Sequence, residues 1–223
     1  VVTHIKKKTI SPWIKKTVKL KKFSESDFLI KSKKKDVIAN TIFMESEIIT
    51  KIGSAELHSK DGFVSASFDS DIWKVAAFDR IHGTNRHSIG FLENFGAEIG
   101  AFASTWSFHE NDMIVIGSND SDMAIASNHL IKNQGGLVVV KSGKILASLP
   151  LQFAGIISTD SFEMVSSNFQ KIILNIFRLM AICSLSLMII LVFKSFSPER
   201  NYKIFSKEIL NNTNLNKIVL SDQ

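Results

Sequence analysis

Apolar and polar positions along the chain alternate in short runs through its first half and fall into two helical stretches in its second. Thr17–Lys22 and Phe28–Lys31 read as short strands around a turn at Ser24-Glu25-Ser26. Asp36–Met44 and Glu47–Lys51 are further β-rich runs, and Ser59-Lys60-Asp61-Gly62 predicts a turn. Trp73–Asp79 is apolar enough for a central strand. A loop at His82-Gly83-Thr84-Asn85 follows, then Ile89–Phe95, which reads as a short helix ended by Gly96.

The second half carries stronger signals. Met113–Gly117 has the composition of a buried strand. Ser118 or Asn119 can cap a helix whose first turn holds Asp120 and Asp122, both favourable at the positive end of the helix dipole. Met123, Ala126, Leu130 and Ile131 share one face, and Gly135 stands where such a helix stops. Leu137–Lys141 and Lys144–Leu149 flank Ser142-Gly143, a two-residue hairpin turn. A second helix is expected from Thr159 or Asp160 to about Arg178. This order predicts an α+β domain: a mixed sheet with β-hairpins and packed helices.

Leu179–Phe193 is fifteen residues without a charge, bracketed by Arg178 and Lys194. A spanning helix needs about 20 apolar residues, so length favours a buried segment. The flanking cations could snorkel, which keeps a membrane anchor open at this point.

The total length of 223 residues suits one large domain, or a domain with an appendage. A first residue of Val1 suggests a piece of a longer chain, with residues 1–12 as the remnant of a preceding segment or linker and 13–223 as the domain. No apolar signal-peptide core follows the start. The single cysteine, Cys183, excludes an internal disulfide framework, a multi-cysteine metal site and the zinc deaminases that need a cysteine pair. The net charge of +6 is uneven. Residues 1–35 hold twelve lysines against Glu25 and Asp27. They lack interleaved arginines and repeated aromatics, so a solvated surface is expected rather than a nucleic-acid partner.

The densest cluster of reactive side chains lies in WSFHENDMIVIGSND, where His109, Glu110, Asn111 and Asp112 are consecutive. Polar residues at such a bend are usually solvated or paired with one another. His82 and His87, five apart, make at most two metal ligands. Ser104 has no Gly-x-Ser-x-Gly setting, Gly135-Gly136 suits a helix end better than a phosphate cradle, and Cys183 sits in an apolar run as an inert thiol.

Ile89–Ser158 resembles the C-terminal domain of bacterial adenine deaminases. The resemblance rests on Gly90-Phe91, Phe95-Gly96, Gly100-Ala101-Phe102-Ala103-Ser104, Val115-Ile116-Gly117-Ser118-Asn119-Asp120-Ser121-Asp122-Met123-Ala124, Gly135-Gly136-Leu137-Val138-Val139 and Leu149-Pro150-Leu151-Gln152-Phe153-Ala154-Gly155. Weaker similarity reaches Pro12-Trp13 and Thr17-Val18-Lys19-Leu20 upstream. Downstream, Leu185–Leu191 is similar to a family segment Leu-Ser-Leu-Pro-Val-Ile-Pro, with Met188 and Leu191 at the two proline positions. The resemblance thus implies that Leu179–Phe193 is soluble core.

The family hydrolyses adenine to hypoxanthine and ammonia in purine salvage, in the cytoplasm, with divalent metal (manganese or iron) held in a (β/α)-barrel. Such a barrel brings His-x-His and further ligands around water that the metals activate. None of the six histidines here forms His-x-His, so the barrel is expected to be absent and the chain itself to bind no metal or other cofactor. Adenine would be reached through a barrel in cis or in trans, and self-association stays open. Where the family reads His-Asp-Ser-His-Asn, this chain reads Phe108-His109-Glu110-Asn111-Asp112, so both histidines are replaced in register. Where it reads Glu-Arg-His-x-Gly-Thr-Gly, Arg80 survives while Ile81 and Asn85 replace a histidine and a glycine. His109, Glu110, Asn111, Asp112 and Arg80 are therefore the candidate site residues. A non-catalytic remnant or interaction module, membrane-associated through Leu179–Phe193, is the alternative reading.

Overall fold

A computed structural model describes residues 11–46, 49–84, 86–97, 99–106 and 112–176. Within these, strict alternation along β2 (Asp36–Met44) buries Val37, Ala39 and Thr41 and exposes Asp36, Ile38 and Asn40, the period of two that a pleated strand imposes. β5 (Ile72–Phe78) is buried almost throughout, as expected for a strand with neighbours on both sides and cover on both faces. Ten strands form one mixed sheet. The others are β1 (Ile30–Lys31), β3 (Thr50–Lys60), β4 (Phe63–Val64), β6 (His87–Glu93), β7 (Ala101–Ser104), β8 (Met113–Gly117), β9 (Gly136–Lys141) and β10 (Lys144–Pro150). Their spatial order is β1-β4-β3-β2-β6-β5-β8-β7-β9-β10. β2 and β6 run parallel, and the remaining pairs are antiparallel. This is an α+β domain, and the described residues form an open sheet and no barrel.

Two helices pack on opposite faces. α1 (Asp120–Asn133) begins at Asn119, whose side chain accepts from the Asp122 amide at 2.8 Å. Its Met123, Ala126 and Leu130 meet Ala76, Phe78, Ala101, Ala103, Val115, Val138 and Val140. α2 (Phe162–Ile176) lies over β9 and β10 on the other face, where Ile172 and Ile176 join Leu137, Val139, Ala147 and Leu149. The Ser142-Gly143 hairpin is present as expected, with positive φ at both residues.

Several expectations need correction. Ile89–Phe95 is not a helix: it falls largely within β6, which pairs antiparallel with β5 and parallel with β2. Apolar spacing over seven residues fits either period, and sheet neighbours on both sides decide it. The Gly96 stop signal was real but ends a strand, with Asn94 at φ 62° and Gly96 at φ 65° turning the chain.

Thr17–Lys22 forms no strand either. Its backbone donors go to loops and side chains: Val18 N–H to Gln134 Oε1 at 3.2 Å and Lys19 N–H to the Arg80 carbonyl at 2.7 Å. Phe28 closes a 3-10 turn over Glu25–Phe28, boxed by Ser24 and Asp27, and the strand begins only at Ile30. Ser59 and Lys60 end β3, so the turn shrinks to Asp61-Gly62. The second helix starts at Phe162, later than expected. Leu179–Phe193 and residues 1–10 lie outside the described residues, and among those described no helix is long and apolar enough to cross a membrane.

Candidate functional site at one end of the sheet

Antiparallel pairing sets Phe78, the last residue of β5, against Met113, the first of β8. Asp79 and Arg80 therefore leave the sheet beside the segment that enters β8 through Asp112. The same sheet end receives the exit of β7 at Ser104-Thr105, the start of β9 at Gly136 and the exit of β10 at Pro150, because β7 pairs antiparallel with β9 and β9 with β10.

Asp79 is buried and fully engaged. Its Oδ1 accepts from the Ile81 amide at 3.3 Å, the His82 amide at 3.1 Å and His82 Nδ1 at 2.9 Å. Its Oδ2 accepts from Thr84 Oγ1 at 2.6 Å and Arg86 Nη2 at 3.3 Å. Burial alone would raise this carboxyl. Hydrogen bonds from Thr84, from the His82 amide and ring and from Arg86 outweigh burial and hold the group well below the usual carboxylate range. Ile81, His82, Thr84 and Arg86 are thus gathered around one carboxylate.

Arg80 is 1% exposed. Its Nη1 donates to Thr17 Oγ1 and its Nη2 to the Ala154 carbonyl, each at 3.1 Å. Nε finds no hydrogen-bond partner among the described residues, and neither does buried Gln152 Oε1 at the exit of β10. Burial pulls the guanidinium down from its ordinary value, while the charge of Asp112 acts in the opposite direction. Gly155, at φ 73°, gives Arg80 its room: a Cβ there would stand 2.6 Å from Nη1. Thr105 ties the neighbouring turns together, accepting from the Gly136 amide at 2.8 Å and donating to the Gly155 carbonyl at 2.6 Å.

Of the sequence-predicted site residues, Arg80 and Asp112 are brought to this end together. His109, Glu110 and Asn111 lie outside the described residues. His82 and His87 are directed to different partners: His82 pairs with Asp79, whereas the His87 ring stacks on Phe78 with centroids 5.7 Å apart. Ser104 Oγ accepts from the Trp106 amide at 3.0 Å, a local turn contact. Gly135 closes α1, its amide donating to the Leu130 carbonyl at 2.9 Å, and a Cβ there would come 2.4 Å from Gly155 Cα. Sequence reasoning missed Thr17, Thr105 and Gly155. Gly155 and Thr105 stand within or beside family-like motifs and could have been found from them, and Thr17 opens the weaker upstream match Thr17-Val18-Lys19-Leu20.

The described residues at this end do not fit a divalent cation. Among the described residues no three His, Cys, Asp or Glu side chains converge, both Asp79 oxygens are occupied by donors, and the nearest charged neighbours include Arg80 and Arg86.

The opposite end of the sheet holds a second polar cluster. Lys74, also 1% exposed, donates to both oxygens of Asp120 at 2.7 and 2.9 Å and to the Phe28 carbonyl at 2.9 Å. Asp122 reaches from the first turn of α1 to the β9–β10 hairpin, accepting from the Ser142 amide at 2.9 Å and the Gly143 amide at 2.7 Å. Gly100 must be glycine here, because a Cβ would fall 1.6 Å from Asp122 Oδ2. An open cleft of about 430 Å³ borders this clasp at Ser118, Ser121 and Lys141.

Comparison with known proteins adds to this geometry. Residues 47–204 match the sequence profile described as the adenine deaminase C-terminal domain. The chain is 52% identical over 160 residues to a protein named adenine deaminase from Cenarchaeum symbiosum (strain A), covering 72% of this chain and 26% of that relative. Proteins of the same name from Brucella anthropi and Clostridium botulinum (strain 657 / Type Ba4) are 37% identical over 160 residues and 34% identical over 156. Those alignments cover 71% and 68% of this chain, and 28% and 26% of the relatives. The chain spans about a quarter of the length of the curated relatives it matches.

Proposed function

We propose that this chain, which belongs to the adenine deaminase C-terminal domain family, serves as the non-barrel part of a cytoplasmic enzyme that hydrolyses adenine to hypoxanthine and ammonia. The observation that carries this reading is one of place. Phe78 pairs with Met113, so Asp79-Arg80, from the segment that keeps the family's arginine, and Asp112, the last residue of the drifted segment, stand at the same end of the sheet, where Arg80 is buried and feels the charge of Asp112. That end is where the domain would meet a barrel, in cis or in trans.

The division of labour follows from the residues. Deamination needs a water made nucleophilic and a group that protonates the departing amine. The family's divalent metal supplies the first when bound in a barrel, and the described residues of this chain contain no ligand set for it. What this chain offers is a rigid end. Asp79 gathers Ile81, His82, Thr84 and Arg86, Thr105 pins Gly136 to Gly155, and Arg80 presents a buried cation whose Nε has no hydrogen-bond partner among the described residues.

A chimera tests the proposal. This chain replaces the matched stretch of the Cenarchaeum symbiosum relative, metal is supplied, and hypoxanthine and ammonia are followed. The expected result is turnover by the chimera and none by the chain alone. A folded but silent chimera, beside an active parent, would contradict the proposal and favour the remnant reading suggested by Phe108 at a histidine position.

A further inference from the structure

The two faces of the sheet are not equally clothed. On the α1 face the apolar side chains of β5, β7, β8 and β9 are almost all buried. On the other face α2 lies over β9 and β10, and beyond it large apolar side chains remain partly open. Phe102, Ile114 and Ile116 are half-buried, as are Ile42 and Met44, while Ile38 is 63% and Ile52 69% exposed. Strand register puts these residues on one face: Phe102 pairs with Ile116, Ile116 with Val75, and Ile42 with both Leu92 and Ile52, while Asn40, Ser54, Glu56 and Ser88 of the same face border the strip around Ile38. Between them Gly90 leaves a dent, with no heavy atom within 4 Å of where a Cβ would point. An apolar strip of this kind across several strands marks a surface that something covers.

We infer that the strip is the docking site of Leu179–Phe193 of this same chain. Three observations choose this occupant. First, Ile172 and Ile176 of α2 are buried on this very face, so the chain beyond Ile176 starts there, with forty-seven residues still to place. Second, the family match runs to residue 204, which counts Leu179–Phe193 within the domain rather than after it. Third, the lengths agree. From β7, the next strand beyond α2, to β3 is five strand spacings, about 24 Å. A fifteen-residue helix reaches about 22 Å and an extended chain about twice that. Arg178 and Lys194 then fall at the two margins of the strip, where their charges stay in water.

Cys183 is the sole thiol and lies inside the segment, so its alkylation rate reports docking in the full chain. Ile52→Arg places a charge beneath the docked segment at a position exposed enough for the domain to fold without it, and Ile38→Arg does the same further along the strip. Ile145→Arg, on a part-exposed position of β10 paired with Val140 of the α1-side core, is the control. Maleimide should label native Cys183 slowly, about tenfold faster in Ile52→Arg or Ile38→Arg, and at the native rate in Ile145→Arg, with melting temperatures alike. Equal labelling of the native chain and both strip variants would overturn the inference. So would protection that disappears on dilution, which would assign the strip to a second copy. Protection that arises only on adding phospholipid vesicles would overturn it too, in favour of a membrane.

Discussion

Lys74 and Arg80 lie six residues apart, one within β5 and the other just past its end, and each is only 1% exposed. Their surroundings could hardly differ more. Lys74 meets a carboxylate with both oxygens and a backbone carbonyl, so its three donors are all used. Arg80 hydrogen-bonds one hydroxyl and one carbonyl and feels the charge of Asp112, while its Nε is left without a hydrogen-bond partner among the described residues. A buried charge is tolerated where its partners are complete, and an incomplete set marks a place held for something else. Lys74 closes the fold by fastening β5 to α1. On the proposed reading, Arg80 serves the end of the sheet that would face a barrel.

The sharpest way to break this comparison is to remove each cation. Lys74→Met leaves the Asp120 carboxylate facing an apolar group and should cost about 3 kcal/mol in denaturant unfolding. The double change Lys74→Met with Asp120→Asn should recover most of that loss, because no uncompensated charge remains. Lys74→Met without a measurable loss would remove the distinction between the two sites. Arg80→Met trades two hydrogen bonds for relief from burying a charge, so the isolated chain should lose about 1 kcal/mol or less. In the chimera with a barrel the same change should lower adenine turnover roughly tenfold or more, through misplacement of groups near the reacting centre. A large stability loss with unchanged turnover would make Arg80 a second Lys74.

Much of the fold could be read from the chain, and the parts that could not have physical reasons. Met113–Gly117, its Asn119-capped helix and the Ser142-Gly143 hairpin announce themselves locally, through a cap, a period and a turn that neighbouring residues decide. Ile89–Phe95 does not, because seven apolar-rich residues suit helix and strand equally until β2 and β5 arrive on either side. Thr17–Lys22 carries a strand's composition, but its Val18 amide finds a side-chain acceptor in Gln134, 116 residues away.

The candidate site divides in the same manner. Arg80 was visible as a retained family residue and Asp112 within a drifted family segment, whereas Thr17 and Gly155, though in family-like stretches, acquire their roles only when the fold brings them to the guanidinium. Lys74 gave no local sign of being buried, since a lysine in an apolar run announces its charge and not its partner.

Hydrogen exchange compares the two ends of the sheet most directly, measured on the chain alone and on the same residues within the chimera. The account predicts added protection at amides 79–84, 105–106 and 151–157 in the chimera. Amides 94–97 and 117–121, by the Lys74–Asp120 clasp, should exchange as before. Protection gained at the clasp end, or at neither end while the chimera is active, would contradict the assignment of the Arg80 end to the barrel.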